Sequence, residues 1–192
     1  MANQASARIQ RLFRNHFVDE YCAADTLGLL CALDDHVLER VANVDERLLL
    51  ERHRANNQII KLVRKRSQSN DEPAGFYILY PINSECEVMI ENGAILRSRQ
   101  ITTDHICKEF KAAASLYLSM VYGKSRQAQA YLIYLLYRDM RRIIRGANNR
   151  VKAIYVRPVT DAGFQVVERH AFKRFREGSG IYRRIVLPED IA

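Results

Sequence analysis

Gly123, Lys124 and Ser125 join a run that reads as a buried strand, LYLSMVY, to a run that reads as a helix, RQAQAYLIYLL. A glycine, a cation and a hydroxyl in that order, placed between a strand and a helix, suit the binding of phosphate. A nucleoside-triphosphate loop ends in this way, with its lysine on the terminal phosphates and its hydroxyl on magnesium, but it also needs a glycine five positions before the last one. Leu118 stands there. What remains is the physics common to helix N-termini: unpaired N–H groups and a partial positive charge. Lys124 and Arg126 add two full charges. The junction can therefore hold an anionic group without the complete loop; a solvated basic turn is the plainer reading.

The chain around this junction has 192 residues, long enough for one domain with a substantial core, and residues 1–192 are read as that single domain. Its hydrophobic share of 48% and charged share of 27% are ordinary for a soluble globular protein. No apolar run approaches the ~18 residues needed to span a bilayer. The opening MANQASARIQRLFR lacks the apolar centre of a secretory signal, so a cytoplasmic location without membrane association is expected. Cys22, Cys31, Cys86 and Cys107 form no C-x-x-C pair and no zinc-like spacing with the five histidines; they read as idle thiols in a reducing compartment, and no metal is expected.

The net charge of +8 favours anionic partners: nucleic acid, an acidic membrane surface or a polyphosphate cofactor. The basic residues are spread in small groups, and no helix-turn-helix, zinc or stacking signature accompanies them. Specific nucleic-acid binding is therefore not expected.

The elements that must position the junction follow from periodicity. Ile9, Leu12, Phe13 and Phe17 recur at helical spacing over 5–21, Asp25 can cap a second helix over 26–42, and Asp45 a third through ERLLLERHRA. This gives a helical N-terminal part over 1–57. QIIKLVRK and AGFYILYPI then read as two antiparallel strands. A brief helix ECEVMIEN ends at Gly93, AILRSRQI reads as extended, and Thr102 or Thr103 can cap a further helix, DHICKEFKAA. After the junction, Leu132, Leu136, Met140, Ile143 and Ile144 share one side of a long helix, with Arg138, Arg141, Arg142 and Arg145 on the other. Asp139 falls in the apolar sector, which calls for an ion pair or a buried hydrogen bond. VKAIYVRPV reads as another strand, and the right-handed crossover that joins it to LYLSMVY makes the two candidates for parallel or near-parallel neighbours. Thr160 can cap DAGFQVVERH, and AFKRFRE, GSG and IYRRIVL read as a hairpin.

Over 58–187 this order resembles the GNAT superfamily of N-acetyltransferases. VTDAGFQVVERHAFKRF and GIYRRIVL are similar to the family's last helix and final strands, with Ala171-Phe172 where Gly-Phe is usual. LYLSMVYGKSRQAQAYLIYLL is similar to its cofactor junction, where Ser125, Ala128 and Ala130 take the three signature positions. The resemblance implies an α/β fold with a central mixed, mostly antiparallel sheet flanked by helices. It also implies acetyl-coenzyme A, or another acyl-coenzyme A, as cofactor and transfer to a primary amine. Backbone of Met120, Val121 and Tyr122 would pair with the pantetheine arm, and Gly123, Lys124, Ser125, Arg126, Gln127, Ala128, Gln129 and Ala130 would surround the pyrophosphate.

The family's tyrosine acid falls at Val167 and its helix-start asparagine at Thr160. Tyr122, Tyr155, His170 and Glu85 are the titratable alternatives, none of them marked by the sequence. An inactive binding or regulatory protein of the same fold is the second reading. The resemblance leaves the acceptor and the oligomeric state open, a homodimer among the alternatives. The connection over 83–115, longer than the family usually has, reads as a substrate lid or as added core.

Overall fold

The computed structural model describes residues 17–21, 46–67, 71–148 and 150–187. Seven strands form one sheet in the order β1-β2-β3-β4-β5-β7-β6: β1 Phe17–Tyr21, β2 Ile60–Lys65, β3 Glu72–Ile82, β4 Ser115–Gly123, β5 Ala153–Val156, β6 Lys173–Arg174 and β7 Tyr182–Ile185. Every neighbouring pair is antiparallel except β4 and β5. That parallel pair is joined by the long helix expected from its amphipathic pattern. The helices are α1 Glu46–Ala55, α2 Ser84–Asn92, α3 Arg126–Gly146 and α4 Asp161–Arg169.

The sheet is covered on both faces. On one face α3 lays Leu132, Leu135, Leu136, Met140 and Ile144 over Tyr77, Leu79, Leu116 and Leu118. On the other, Leu49 of α1 and Cys86 and Ile90 of α2 close over Phe76, Ile78, Tyr80, Tyr117 and Tyr155. Strands buried on both faces read as nearly continuous apolar runs, as FYILYPI does. No helix among the described residues is long and apolar enough to cross a membrane.

Two expectations are corrected. Residues 17–21 are a strand rather than the end of a helix: Phe17 to Tyr21 pair in register with Lys65 to Lys61 of β2, and the Phe17 ring stacks on Tyr131 of α3 at 5.3 Å. Alternation within FVDEY, which a five-residue window shows as well as a helical stripe does, is settled by this tertiary pairing. The rest of that expected helix, the expected second helix and Asp25 and Asp45 lie outside the described residues.

The second correction concerns 94–114. In place of an extended run and a helix, the segment makes single turns at Ser98–Gln100, Thr103–His105 and Phe110–Ala112. Its backbone bonds go elsewhere: Asn83 N donates to His105 O, Cys107 N to Pro81 O and Ala114 N to Ile82 O. The Gln100 side chain accepts from the Leu96 and Arg97 amides. Ile95, Ile101 and Ile106 are buried in the core on the α1 and α2 face, so the connection is added core as it stands.

Asp139 has the partners its position demanded. Tyr77 Oη donates to it at 2.6 Å, Arg138 Nη2 lies 3.0 Å away and Lys61 Nζ 3.8 Å away. Arg138 also reaches Asp19 at 3.4 Å, so it is a half-buried bridge from α3 to β1 rather than a solvated face residue.

Candidate functional site

Strand β4 has two halves. Against β3 it is paired from Ser115 to Gly123, but against β5 only Leu116, Tyr117 and Leu118 are matched, to Ile154, Tyr155 and Val156. The ladder with β3 slips at this point: Leu79 faces Leu118 and Ile78 faces Met120, which leaves Ser119 as the extra residue of a bulge. Beyond Val156 the chain turns away through Arg157 and Pro158, and a proline has no N–H to extend a ladder. Residues 119–123 are therefore half-buried, with a backbone edge that has no strand partner among the described residues. Met120 and Tyr122 pack on the α1 and α2 side, as do Leu50, Met89 and Phe175, and Val121 packs on the α3 side.

The parted edge runs into the N-terminus of α3. Ser125 is the N-cap in extended conformation, and its Oγ accepts from Ala128 N at 3.2 Å. Its carbonyl accepts from Gln129 N at 2.9 Å, and Lys124 N donates to Ala74 O at 2.8 Å. At the start of the helix, the amides of Ser125, Arg126 and Gln127 have no acceptor among the described residues. Of the residues expected around the pyrophosphate, Ala128 and Gln129 have their amides committed to Ser125, and the Ala130 amide lies within the helical ladder. Lys124, Ser125, Arg126, Gln127 and Ala130 are exposed, Gln129 is half-buried and Ala128 is fully buried in the core.

The small residues of the junction have a packing reason. A Cβ on Gly123 would fall 2.7 Å from the backbone nitrogen of Gln129, and one on Gly75, its partner on β3, would fall 2.7 Å from Leu132 Cδ1 and 2.8 Å from Gly123 Cα. The first turns of α3 sit directly on the strand ends, which is what brings the three free amides to the end of the parted edge. The residues preceding Gly123 are strand rather than loop, with Leu118 in the core, so no glycine cradle for a nucleoside triphosphate forms.

The titratable residues singled out by sequence scatter. Tyr122 is on the parted edge, its ring 5.8 Å from Phe76. Tyr155 is fully buried, donates to Glu91 at 3.3 Å, and pairs with Tyr117, about five residues before Tyr122; at ~3.3 Å per residue the two phenols belong to different places. Burial pushes the Tyr155 hydroxyl up, so it holds its proton. His170 packs on the Tyr137 ring at 4.6 Å, at the α3 and α4 contact, where burial and then Arg184 and Arg169 pull its imidazole down. Glu85 is exposed on α2. Val167 points into the core with α3, and Thr160 caps α4 by accepting from Gly163 N at 3.1 Å.

Two guanidiniums that sequence reading passed over stand on the α1 and α2 face. Arg52 is buried, 4% exposed, and Arg157 follows the last residue of β5. Neither Nε has a hydrogen-bond partner among the described residues. Leu49 and Arg52, three apart on the inward side of α1, were the available signal for the first; for the second it was a charge immediately after a four-residue apolar strand.

No family model matches the chain, and no curated protein matches it. Among solved structures it is similar to Ard1 from Thermoplasma volcanium, at 10% identity over 89% of this chain and 98% of that one, with a TM-score of 0.52. It is also similar to a GNAT family acetyltransferase from Listeria monocytogenes 4b F2365, at 11% identity over 88% and 95%, with a TM-score of 0.53.

Proposed function

The chain has the GNAT fold, and we propose that it is an acetyl-coenzyme A-dependent N-acetyltransferase acting on a primary amine. The observation that carries this reading is the parting of β4 from β5 after Leu118 and Val156, which opens a backbone edge leading to three unpaired amides at the start of α3. An amide-bearing arm can add to the edge of Met120, Val121 and Tyr122 as a strand would, and a diphosphate can accept from Ser125, Arg126 and Gln127 with Lys124 and Arg126 nearby. Bound in this way, the cofactor would supply a thioester whose acyl carbon is open to attack by an amine.

The residues of the chain do the rest by placement. Holding the two reactants in line accounts for much of the rate in such a transfer, and Gly123 sets the distance between edge and helix on which that alignment depends. Tyr122 is the one of the four titratable candidates on the parted edge, and its Oη is the atom assigned to carry a proton there.

A specific observation favours a second reading, a protein of this fold that binds the cofactor without turnover: Val167, at the family's acid position, is 3% exposed and locked in the core. Two measurements test the pair. A ligand selective for the native state adds ~2.7 kcal/mol at a hundredfold excess over its Kd. Acetyl-coenzyme A is therefore expected to raise the melting temperature clearly and ATP with magnesium not to; the reverse result defeats the reading. Thiol release with a panel of primary amines then separates catalysis from binding.

A further inference from the structure

We infer that the amine acceptor carries a carboxylate, held by Arg157 with Arg52 behind it, on the face of the sheet opposite α3. The inference rests on the acyl-transfer reading. Along β5, Tyr155 belongs to the core on the α2 side and Val156 to the core on the α3 side, so Arg157 returns to the α2 side just where β5 leaves β4. It lies against the turn before β7: its Nε is 3.2 Å from where a Cβ on Gly180 would stand. That nitrogen is buried and has no hydrogen-bond partner among the described residues.

Arg52 comes from α1. Its Nη1 donates to Tyr80 Oη at 3.0 Å and its Nη2 to the Arg99 carbonyl at 3.1 Å, both neutral acceptors, and its Nε has none. Tyr80 faces Tyr117 across β3 and β4, and the Tyr117 phenol feels the charge of both Arg157 and Arg52. No carboxylate pairs with either guanidinium among the described residues. Two acids on this face are engaged elsewhere, Glu87 by Ser115 and Glu91 by Tyr155 and Arg183.

Two positive charges thus stand on this face, Arg52 buried and Arg157 half-buried with a buried Nε, and no carboxylate is paired to either among the described residues. A buried ion without a counter-ion is costly, and a guanidinium fork is the side chain best shaped to take a carboxylate with two parallel hydrogen bonds. The free amides that suit the diphosphate lie at the start of α3, which packs on the other face. A carboxylate at Arg157 therefore enters from the acceptor's side, and the class it defines is a small amine bearing a carboxylate, such as a free amino acid.

The test compares wild type with Arg157→Gln, using free amino acids and their carboxamides as matched probes, with and without acetyl-coenzyme A. For wild type, the carboxylate member of a pair is expected to show a KM at least ~10-fold lower, since a charge-assisted pair is worth about that factor or more. It should also give the larger melting shift. In Arg157→Gln that preference is expected to vanish while the shift with acetyl-coenzyme A stays, and the free variant should melt no lower than wild type. Carboxamides that perform as well as carboxylates overturn the inference. So does a variant that melts lower yet keeps the preference, because Arg157 is then structural. If acetyl-coenzyme A binds and no probe depends on Arg157, this inference fails and the cofactor reading stands. If carboxylates shift the melt through Arg157 and acetyl-coenzyme A does not, the cofactor reading fails alone.

Discussion

Tyr77 on β3 donates its phenolic hydrogen to Asp139 on α3 across 2.6 Å, in an interior where Asp139 is 1% exposed. Lys61, Arg138 and Asp19 extend this pair into a cluster, buried at Lys61 and Asp139 and half-buried at Arg138 and Asp19, in which each charge has an opposite one. Removing Asp139 leaves the Tyr77 hydroxyl without its acceptor and two cations sharing the single carboxylate of Asp19, so Asp139→Ala is expected to lower stability by ~3 kcal/mol in urea unfolding. Tyr77→Phe, which leaves the ion pairs, should cost only ~1 kcal/mol. Equal losses would mean that the cluster is not coupled.

The same cluster sets a pH dependence. Burial raises the Asp19 carboxyl, but the Lys61 hydrogen bond and the charges of Lys61 and Arg138 outweigh it, leaving its folded value below the ordinary one. Its contribution is complete above the ordinary carboxylate range and is lost as pH falls through the folded value. Tyr77 is shifted the other way by burial and then by Asp139, so its contribution is complete below the ordinary phenol range and declines as pH rises above it. Stability measured against pH should fall at both ends, and Asp19→Asn should flatten the acid end.

Arg126→Pro isolates the free amides. Position 126 is the first residue of α3 and follows an extended N-cap, the setting in which a proline is accommodated, so that an unpaired N–H is lost together with the side-chain charge. Stability should change by less than ~0.5 kcal/mol, while acetyl-coenzyme A affinity drops ~10-fold. Arg126→Ala, which removes the charge and keeps the amide, should lose less. Equal losses in calorimetric titration would assign the effect to charge alone. Ala128→Glu cannot serve this purpose, because it would place a carboxylate in the core.

Gly123→Ala is expected to destabilise the protein by ~1–3 kcal/mol, since its Cβ meets backbone rather than a side chain that can swing away. Cofactor affinity should fall with it, because the helix start must lift from the strand end. An unchanged melting temperature would show that α3 is not seated as described.

Tyr122→Phe tests the proton carrier. The expected result is a kcat lower by ~10²-fold with the acetyl-coenzyme A melting shift unchanged. An unchanged kcat removes Tyr122 from the chemistry.

Much of this architecture was legible in the residues. The α3 stripe, the parallel pairing of β4 with β5 and the cap at Thr160 follow from local pattern, and the misplaced Asp139 announced its need of partners. What escaped were features decided at a distance. Phe17–Tyr21 is a strand because β2 and Tyr131 are there to receive it. Segment 94–114 forgoes a helix because its amides are used by β3 and neighbouring turns. The parting of β4 from β5 depends on where two strands diverge, and the isolation of Arg52 and Arg157 on which acids stand nearby. Neither is a property of spacing.

The bulge at Ser119 also makes β4 a reporter. An amide in the middle of a seven-stranded sheet ordinarily exchanges its hydrogen with solvent only when the sheet opens. On β4 those of 119–122 that face the gap are spared the ladder with β5 and should exchange fast, while 116–118 stay protected. A molecule that pairs with the edge would slow them without moving the backbone, so deuterium uptake confined to one half of one strand would read occupancy of the gap directly, whether or not any reaction follows.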